Sequence, residues 1–300
     1  MIRTKNLTKR YKQFYAVDNV SLHVKKGEIY GFLGLNGAGK TTTLEMLLGL
    51  VRPTKGAAYL LNKRVQLKNY HLWNHVGYLL AAPYSYPELT VEENLTMFAQ
   101  LRQIKSKHRV YQVIDQLHLR AYSNVKARNL SLGNRVRLGI ARALLHEPEI
   151  LILDEPVNGL DPAGMIDIRN LLQDLAYNKG VTILMSSHLL DEVAKIVTTV
   201  GIIHEGKLIK EITKSKLENQ LNKQLIIKTY DQKRAEQSLQ KANYIVETSG
   251  KHTIIITNKR ALNEPEKIAK RLVSDNVSLT HLAIKEESLE DYFLRRIREF

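Results

Sequence analysis

Apolar positions along this chain follow two periods, and the switches between them mark its elements. Residues 28–33 (Glu-Ile-Tyr-Gly-Phe-Leu) form a short β-prone run, while residues 42–50 carry Leu44, Leu47 and Leu48 at helical spacing. The pair reads as strand, turn, helix. Residues 150–153 (Ile-Leu-Ile-Leu) are continuously apolar, as a strand buried on both faces of a parallel sheet must be. Residues 181–184 are a further β-prone run. Between these strands, residues 90–145 are mostly helical in pattern. Thr90 and Glu93 make a capping box, Val91, Leu95 and Phe98 share one face, and residues 135–145 form another helical run. Residues 200–204 and 207–212 predict a hairpin turned at Glu205-Gly206.

Beyond residue 213 the pattern changes. Residues 214–222 are polar and helical, a connector. Then follow a strand (225–230), a helix (233–242), two strands (244–247 and 253–257), a helix (265–275) and a strand (279–284), with Pro265 suited to a first helical position. This βαββαβ order predicts a small ferredoxin-like α+β unit. A last helix opens at Ser288, boxed by Asp291, with Leu289, Tyr292, Phe293, Ile297 and Phe300 in one stripe expected to pack on this chain. The expected organisation is an α/β domain over residues 1–215, with a helical subdomain at about 88–146, and an accessory domain over 216–300. No catalytic cluster stands out in the latter.

Composition narrows the class. Three hundred residues suffice for real cores, and 44% hydrophobic with 25% charged residues is ordinary for a globular chain. No apolar run approaches the ~20 residues of a membrane span, and Met1-Ile-Arg-Thr-Lys-Asn is no signal peptide. The absence of cysteine excludes disulfides, thiolate metal sites and a Cys nucleophile. The net charge of +15 suggests a polyanionic neighbour, either nucleic acid or an anionic membrane face, or a solvated Lys-rich surface. Residues 102–128 contribute seven Lys and Arg against Asp115 alone.

The chemistry is concentrated at two places. Gly34-Leu35-Asn36-Gly37-Ala38-Gly39-Lys40-Thr41, followed by Thr42, fits the P-loop pattern G-x-x-x-x-G-K-[ST]. Glycines let the backbone curl so that its N–H groups face phosphate oxygens at a helix N-terminus. Lys40 can reach the β- and γ-phosphates, and the Thr41 hydroxyl can ligate Mg²⁺. Asp154 ends the apolar run 150–153, where α/β sheets place ligands, and an Asp there can hold Mg²⁺. Glu155, next in line, can orient and deprotonate an attacking water.

Between these motifs lies Leu130-Ser131-Leu132-Gly133-Asn134, which resembles the Leu-Ser-Gly-Gly-Gln signature of ATP-binding cassette (ABC) ATPases. Tyr11 resembles the aromatic that stacks on adenine, Asn158-Gly159-Leu160-Asp161-Pro162 the loop that communicates across the dimer, and His188 the switch histidine. The resemblance covers residues 1–215. It implies a P-loop NTPase core with mixed sheet and helical subdomain, binding ATP and Mg²⁺. It also implies two copies closed head to tail, each ATP lying between the P-loop of one and Ser131–Gly133 of the other, with Asp161 acting across the dimer. Further implications are a separate integral membrane permease, a peripheral place on the cytoplasmic face of the membrane, and the antibiotic- and peptide-export branch.

Departures from the family pattern bear on this. Leu35 replaces a common Pro, Leu132 and Asn134 replace Gly and Gln, and Val157 replaces Thr. Leu132 is familiar in drug- and peptide-export cassettes. Ala81 stands where the family has Gln, or Glu in bacitracin- and lantibiotic-export types, and alanine can touch neither metal nor water. A slow-turnover nucleotide sensor therefore stays open beside the transport reading. A soluble ABC ATPase acting on ribosomes or nucleic acid fits less well, because one P-loop and no coiled-coil insertion are present, so no nucleic acid is expected. Pro83, Tyr84, Tyr86 and Pro87 could line a socket for a partner helix or simply pack their own loop.

Overall fold

In the computed structural model, which describes residues 1–66, 68–80 and 85–299, the chain begins directly in sheet. Strand β1 (Ile2–Tyr11) pairs antiparallel with β2 (Phe14–Val20) and with β3 (His23–Val24). After β4 (Ile29–Leu33) and helix α1 (Lys40–Leu47), β5 (Lys55–Leu60) and β6 (Lys63–Arg64) return to that first sheet, ordered β2-β1-β5-β6. Strand β7 (Val76–Leu79) leads to three helices, α2 (Val91–Leu101), α3 (Lys107–Gln116) and α4 (Leu132–Leu144). Then come β8 (Ile150–Asp154), α5 (Pro162–Tyr177), β9 (Thr182–Ser187), α6 (Leu190–Ala194), β10 (Thr199–His204) and β11 (Lys207–Thr213). A six-stranded sheet takes the order β11-β10-β4-β9-β8-β7, parallel except at the β10–β11 hairpin.

The fully buried patterns of β4 and β8 explain their uninterrupted apolar composition, since both strands lie inside this sheet. One apolar cluster, including Leu7, Val17, Leu44, Leu60, Ile152 and Leu184, joins both sheets and α1. The α/β expectation holds, with a mixed arrangement of sheets. The β10–β11 turn has both central residues at positive φ, Glu205 at 45° and Gly206 at 78°, the twist a two-residue hairpin favours. Two helices start earlier than periodicity alone predicts. α1 begins at Lys40 and α4 at Leu132, because each opens on its cap, Gly39 and Ser131, rather than on its first apolar residue.

The helical segment is held by polar groups. The Thr90 hydroxyl accepts from the Glu93 N–H at 3.2 Å while Glu93 accepts from the Thr90 N–H at 2.7 Å, the expected capping box. Buried Asn94 accepts from the Tyr86 N–H at 2.8 Å and donates to the carbonyls of Tyr86, Leu89 and Thr90 at 3.1, 3.1 and 2.9 Å. Much of the basic run is structural. Arg102 donates to the Trp73 carbonyl at 2.7 Å and Arg109 to the carbonyls of Leu145 and Leu144 at 3.1 and 2.6 Å, while Arg120 pairs with Asp115 and Arg128 with Glu88. Ala81, Pro83, Tyr84 and Phe300, which carried expectations, lie outside the described residues.

The chain divides into two units, Met1–Ser215 with Arg296–Phe300, and Lys216–Arg295. After α7 (Lys214–Glu218), the second unit runs β12 (Lys223–Thr229), α8 (Gln232–Lys241), β13 (Glu247–Thr248), β14 (Thr253–Ile256), α9 (Lys259–Asn263), α10 (Pro265–Ser274), β15 (Leu279–Glu286) and α11 (Leu289–Arg298). Its antiparallel sheet is ordered β13-β14-β12-β15, the arrangement of a split βαββαβ unit. Its core includes Leu225, Ile227, Leu239, Ile254 and Leu272. Two details differ from the sequence pattern. Tyr244 is not in a strand but is buried under the Arg260 guanidinium, 5.5 Å from its ring centre, and β13 starts only at Glu247. Residues 259–263 form the extra helix α9, opened by Asn258, whose side chain accepts from the Arg260 N–H at 2.7 Å. The Ser288 hydroxyl accepts from the Asp291 N–H at 3.0 Å, and Leu289, Tyr292 and Phe293 are buried. Among the described residues no helix is long and apolar enough to cross a membrane.

Candidate functional site

The loop between β4 and α1 is set by its glycines. Gly37 and Gly39 have φ of 80° and 102°, a region that side chains disfavour. A Cβ on Gly39 would also collide with the Ala16 carbonyl, so the β1–β2 hairpin presses directly on the loop. Lys40, only 6% exposed, folds back to donate to the carbonyls of Gly34 at 2.7 Å and Leu35 at 3.2 Å. Its ammonium also lies 3.5 Å from the Glu155 carboxylate.

A cavity of about 440 Å³ opens over this loop. The hairpin supplies an aromatic and apolar wall, Tyr11, Phe14 and Ala16, and the loop and α1 supply Gly37, Lys40 and Thr41, with Asn36, Gly39 and Thr42 beside them. Glu155 completes the lining. Tyr11 and Phe14 are direct partners across the β1–β2 pair, so their rings project from the same face. The Lys9 ammonium sits 4.8 Å from the centre of the Tyr11 ring. An aromatic wall beside a glycine-rich loop and a lysine suits a base joined to phosphates.

The two carboxylates are placed by the β8–β9 pair, in which Asp154 stands beside Ser186. The Thr41 hydroxyl donates to Asp154 Oδ2 at 2.8 Å, and the Ser186 hydroxyl donates to Asp154 Oδ1. Glu155 then leaves the strand at φ 52°, a conformation costing of order 1–3 kcal/mol for a residue with a side chain. Its N–H donates to the Ser186 hydroxyl at 3.1 Å and to the Ser186 carbonyl at 3.3 Å. Its carboxylate meets His188 Nδ1 at 2.8 Å and the His188 N–H at 3.3 Å. Lys40, Thr41, Asp154, Glu155 and His188, read from three separate stretches of sequence, thus converge. Ser186 was missed by sequence reasoning. Its signal was a hydroxyl two residues before His188, in a strand that also carries Thr182 and Ser187.

The remaining candidates lie apart. Ser131 caps α4, its hydroxyl accepting from the Asn134 N–H at 3.2 Å. Leu132 is 48% exposed and covers Gly159, where a Cβ would overlap its side chain. Asp161 caps α5 by accepting from the Gly164 N–H at 3.1 Å. Ser131, Gly133 and Asp161 are not among the described residues that line the cavity. No group of three or more His, Cys, Asp or Glu able to hold a metal occurs among the described residues. The Thr41 hydroxyl and the Asp154 carboxylate are oxygens here of the kind a hard cation takes.

Such a cradle beside a strand ending in Asp-Glu defines a P-loop nucleotide hydrolase. The ABC transporter family matches residues 17–158. The bacitracin transport ATP-binding protein BcrA of Bacillus licheniformis is 40% identical over 99% of this chain and 97% of its own length. Its namesake from Enterococcus faecalis is 38% identical over 99% and 96%. Among solved structures, the dimeric bacterial ABC transporter cassette MJ0796 superposes with a TM-score of 0.67 at 29% identity, covering 71% of this chain and 98% of that one. A dimeric post-hydrolysis state of MJ0796 with ADP and Pi gives 0.66 at 28%, with 71% and 98% covered. The chain belongs to the ABC transporter ATP-binding proteins: it is the ATP-binding, ATP-hydrolysing subunit of a transporter.

Proposed function

We propose that this subunit powers the export of, and so resistance to, a bacitracin-like peptide antibiotic through a separate integral membrane permease. It would work as a homodimer bound to the cytoplasmic face of the membrane. The observation that carries this reading is the identity to BcrA over nearly the whole of both chains, because it extends beyond the part of this chain shared with the solved cassettes.

Within each site, Tyr11 stacks on adenine, and the backbone from Gly34 through Leu35, Asn36, Gly37, Ala38 and Gly39 wraps the phosphates with Lys40 and Thr42. The Thr41 hydroxyl and the Asp154 carboxylate, 2.8 Å apart, are hard oxygen donors of the kind Mg²⁺ takes when it also binds phosphate. When bound, the ion would neutralise charge developing on the β- and γ-oxygens. Glu155 accepts the proton of the attacking water, with its carboxylate aimed by the contacts to Lys40 and His188. His188, freed from Glu155, steadies the γ-phosphate. Because Ser131 and Gly133 lie away from the cavity of their own chain, they serve the site of the second copy, with Asp161 acting across the same interface. Residues 1–215 form the cassette, and residues 216–300 an accessory domain.

Replacing Glu155 by Gln tests the assignment. ATP binding should survive, hydrolysis should fall roughly 10²–10⁴-fold, and bacitracin tolerance of cells expressing the transporter should return to background. Purification of the native protein from membranes should bring a multi-span permease with it. Recovery with ribosomes and no permease, or parental turnover by Glu155→Gln, would overturn the proposal.

A further inference from the structure

Ser186 has a place in this site that neither the sequence pattern nor the motifs assign. It is fully buried in β9, between Phe32 of β4 and Asp154 of β8. A hydroxyl has one proton to give and lone pairs to accept. Here the proton goes to Asp154 Oδ1, and a lone pair takes the Glu155 N–H at 3.1 Å. One side chain therefore ties together the two adjacent carboxylate residues on which hydrolysis depends. The direction of the Glu155 side chain follows from its backbone, which sits at φ 52°. Asp154 has its other oxygen, Oδ2, committed to Thr41.

We infer that Ser186 is a positioning residue of the ATPase site: its hydroxyl locks the Asp154 carboxylate and holds Glu155 in the left-handed conformation that aims its carboxylate at Lys40 and His188. The inference rests on Glu155 as the general base. Its physical basis is the division of labour among four contacts. Without the hydroxyl, the Glu155 N–H keeps only the longer bond to the Ser186 carbonyl, at 3.3 Å. Asp154 Oδ1 loses a donor in a buried place, so the carboxylate is free to turn about its remaining bond to Thr41. Neither change removes a group of the loop or the aromatic wall, which line the nucleotide cavity together with Glu155. The loss should therefore appear in turnover and not in nucleotide affinity. Threonine keeps the hydroxyl and adds a β-branch that strands accommodate.

The test uses the full chain with Ser186→Ala, Ser186→Thr, Glu155→Gln and the double variant Ser186→Ala/Glu155→Gln. Steady-state ATPase and binding of a fluorescent ATP analogue are measured for each. Removal of an outer partner of catalytic carboxylates typically costs about 10–100-fold. Ser186→Ala should show that loss in kcat, with KM and analogue affinity within about threefold of native. Ser186→Thr should restore kcat to within about threefold of native. In the Glu155→Gln background the alanine should add little further loss, because residues acting as one unit are not additive. Parental kcat in Ser186→Ala overturns the inference. So does a threonine variant as slow as alanine, or a full multiplicative loss in the double variant. Parental turnover by Glu155→Gln alone refutes instead the underlying assignment of the base, which keeps the two failures distinct.

Discussion

Lys40→Met separates the role of the buried ammonium in ATP binding from its role in folding. The substitution keeps an unbranched chain of similar length and removes one charge. That charge makes two hydrogen bonds to loop carbonyls and one contact with Glu155, but it also bears the cost of burial. Glu155 keeps His188 at 2.8 Å, so it is not left without a partner. These effects oppose one another, and the stability of the free protein should change by no more than about 1–2 kcal/mol. With ATP bound the balance differs. A phosphate charge about 4 Å from the ammonium is attracted by roughly 4 kcal/mol at an effective dielectric constant of about 20. Giving up the resting contacts of Lys40 offsets about 1–2 kcal/mol of that. The remainder, about 2–3 kcal/mol, corresponds to a Kd raised roughly 30–150-fold. A 100-fold weaker Kd removes up to about 2.7 kcal/mol of ligand-induced stabilisation. At roughly 2–4 °C per kcal/mol, the rise in Tm on adding ATP and Mg²⁺ should shrink by about 5–10 °C. Thermal unfolding of both proteins with and without nucleotide reads this directly. An ATP-induced rise equal to the native one, with the free proteins alike, would refute the placement of the phosphates against Lys40.

Three further outcomes follow from particular contacts. Asn94→Ala takes the partner from the Tyr86 N–H and one donor from each of three carbonyls, which keep the N–H groups of Leu89, Ala127 and residue 94, and should destabilise the protein by about 1–3 kcal/mol in urea unfolding; no measurable loss would mean water replaces the amide. A chain ending at Leu221 should fold and bind ATP with nearly native affinity, since every described residue lining the cavity precedes it; loss of binding in the truncated chain would show that the first unit depends on the rest. His146 is pushed down to about 4 by burial and by the nearby Arg102 guanidinium, so it is neutral in the folded protein while the unfolded chain takes up a proton near pH 6.5. Its contribution is therefore fully present above pH 6.5 and is lost as pH falls from there to about 4. His146→Gln should flatten the stability–pH curve across that window, and an unchanged slope would assign the acid sensitivity elsewhere.

The phosphate loop, the strand ending in Asp154-Glu155, the Thr90–Glu93 box and the Glu205-Gly206 hairpin were all legible in single windows of sequence. Each is decided by local chemistry: a positive φ that needs glycine, a side chain capping its own helix, an apolar run with no room for a polar residue. The βαββαβ order of the second unit was legible for the same reason, because each amphipathic helix and short apolar strand there carries its own period, while the extra helix α9 was not. The antiparallel sheet built on β1 and β2 was not. Ile2–Tyr11 buries its residues irregularly, and its register slips between Leu7 and Lys9, so no clean period of two survives in the sequence.

What only the tertiary structure decided is which of these pieces meet. The order β11-β10-β4-β9-β8-β7 places β9 between the strands that end at Leu33 and Asp154. That neighbour relation brings Ser186 onto Asp154 and His188 onto Glu155 across more than thirty residues of chain. The same packing folds Lys40 onto Glu155 and lays Leu132 over Gly159, while it keeps Ser131 outside the cavity that holds the phosphate loop. By itself the sequence determined the chemical groups and their local backbone, because those depend on neighbours in the chain. The distances that turn the groups into a site depend on strand pairing between remote segments, and that is settled only when the whole sheet closes.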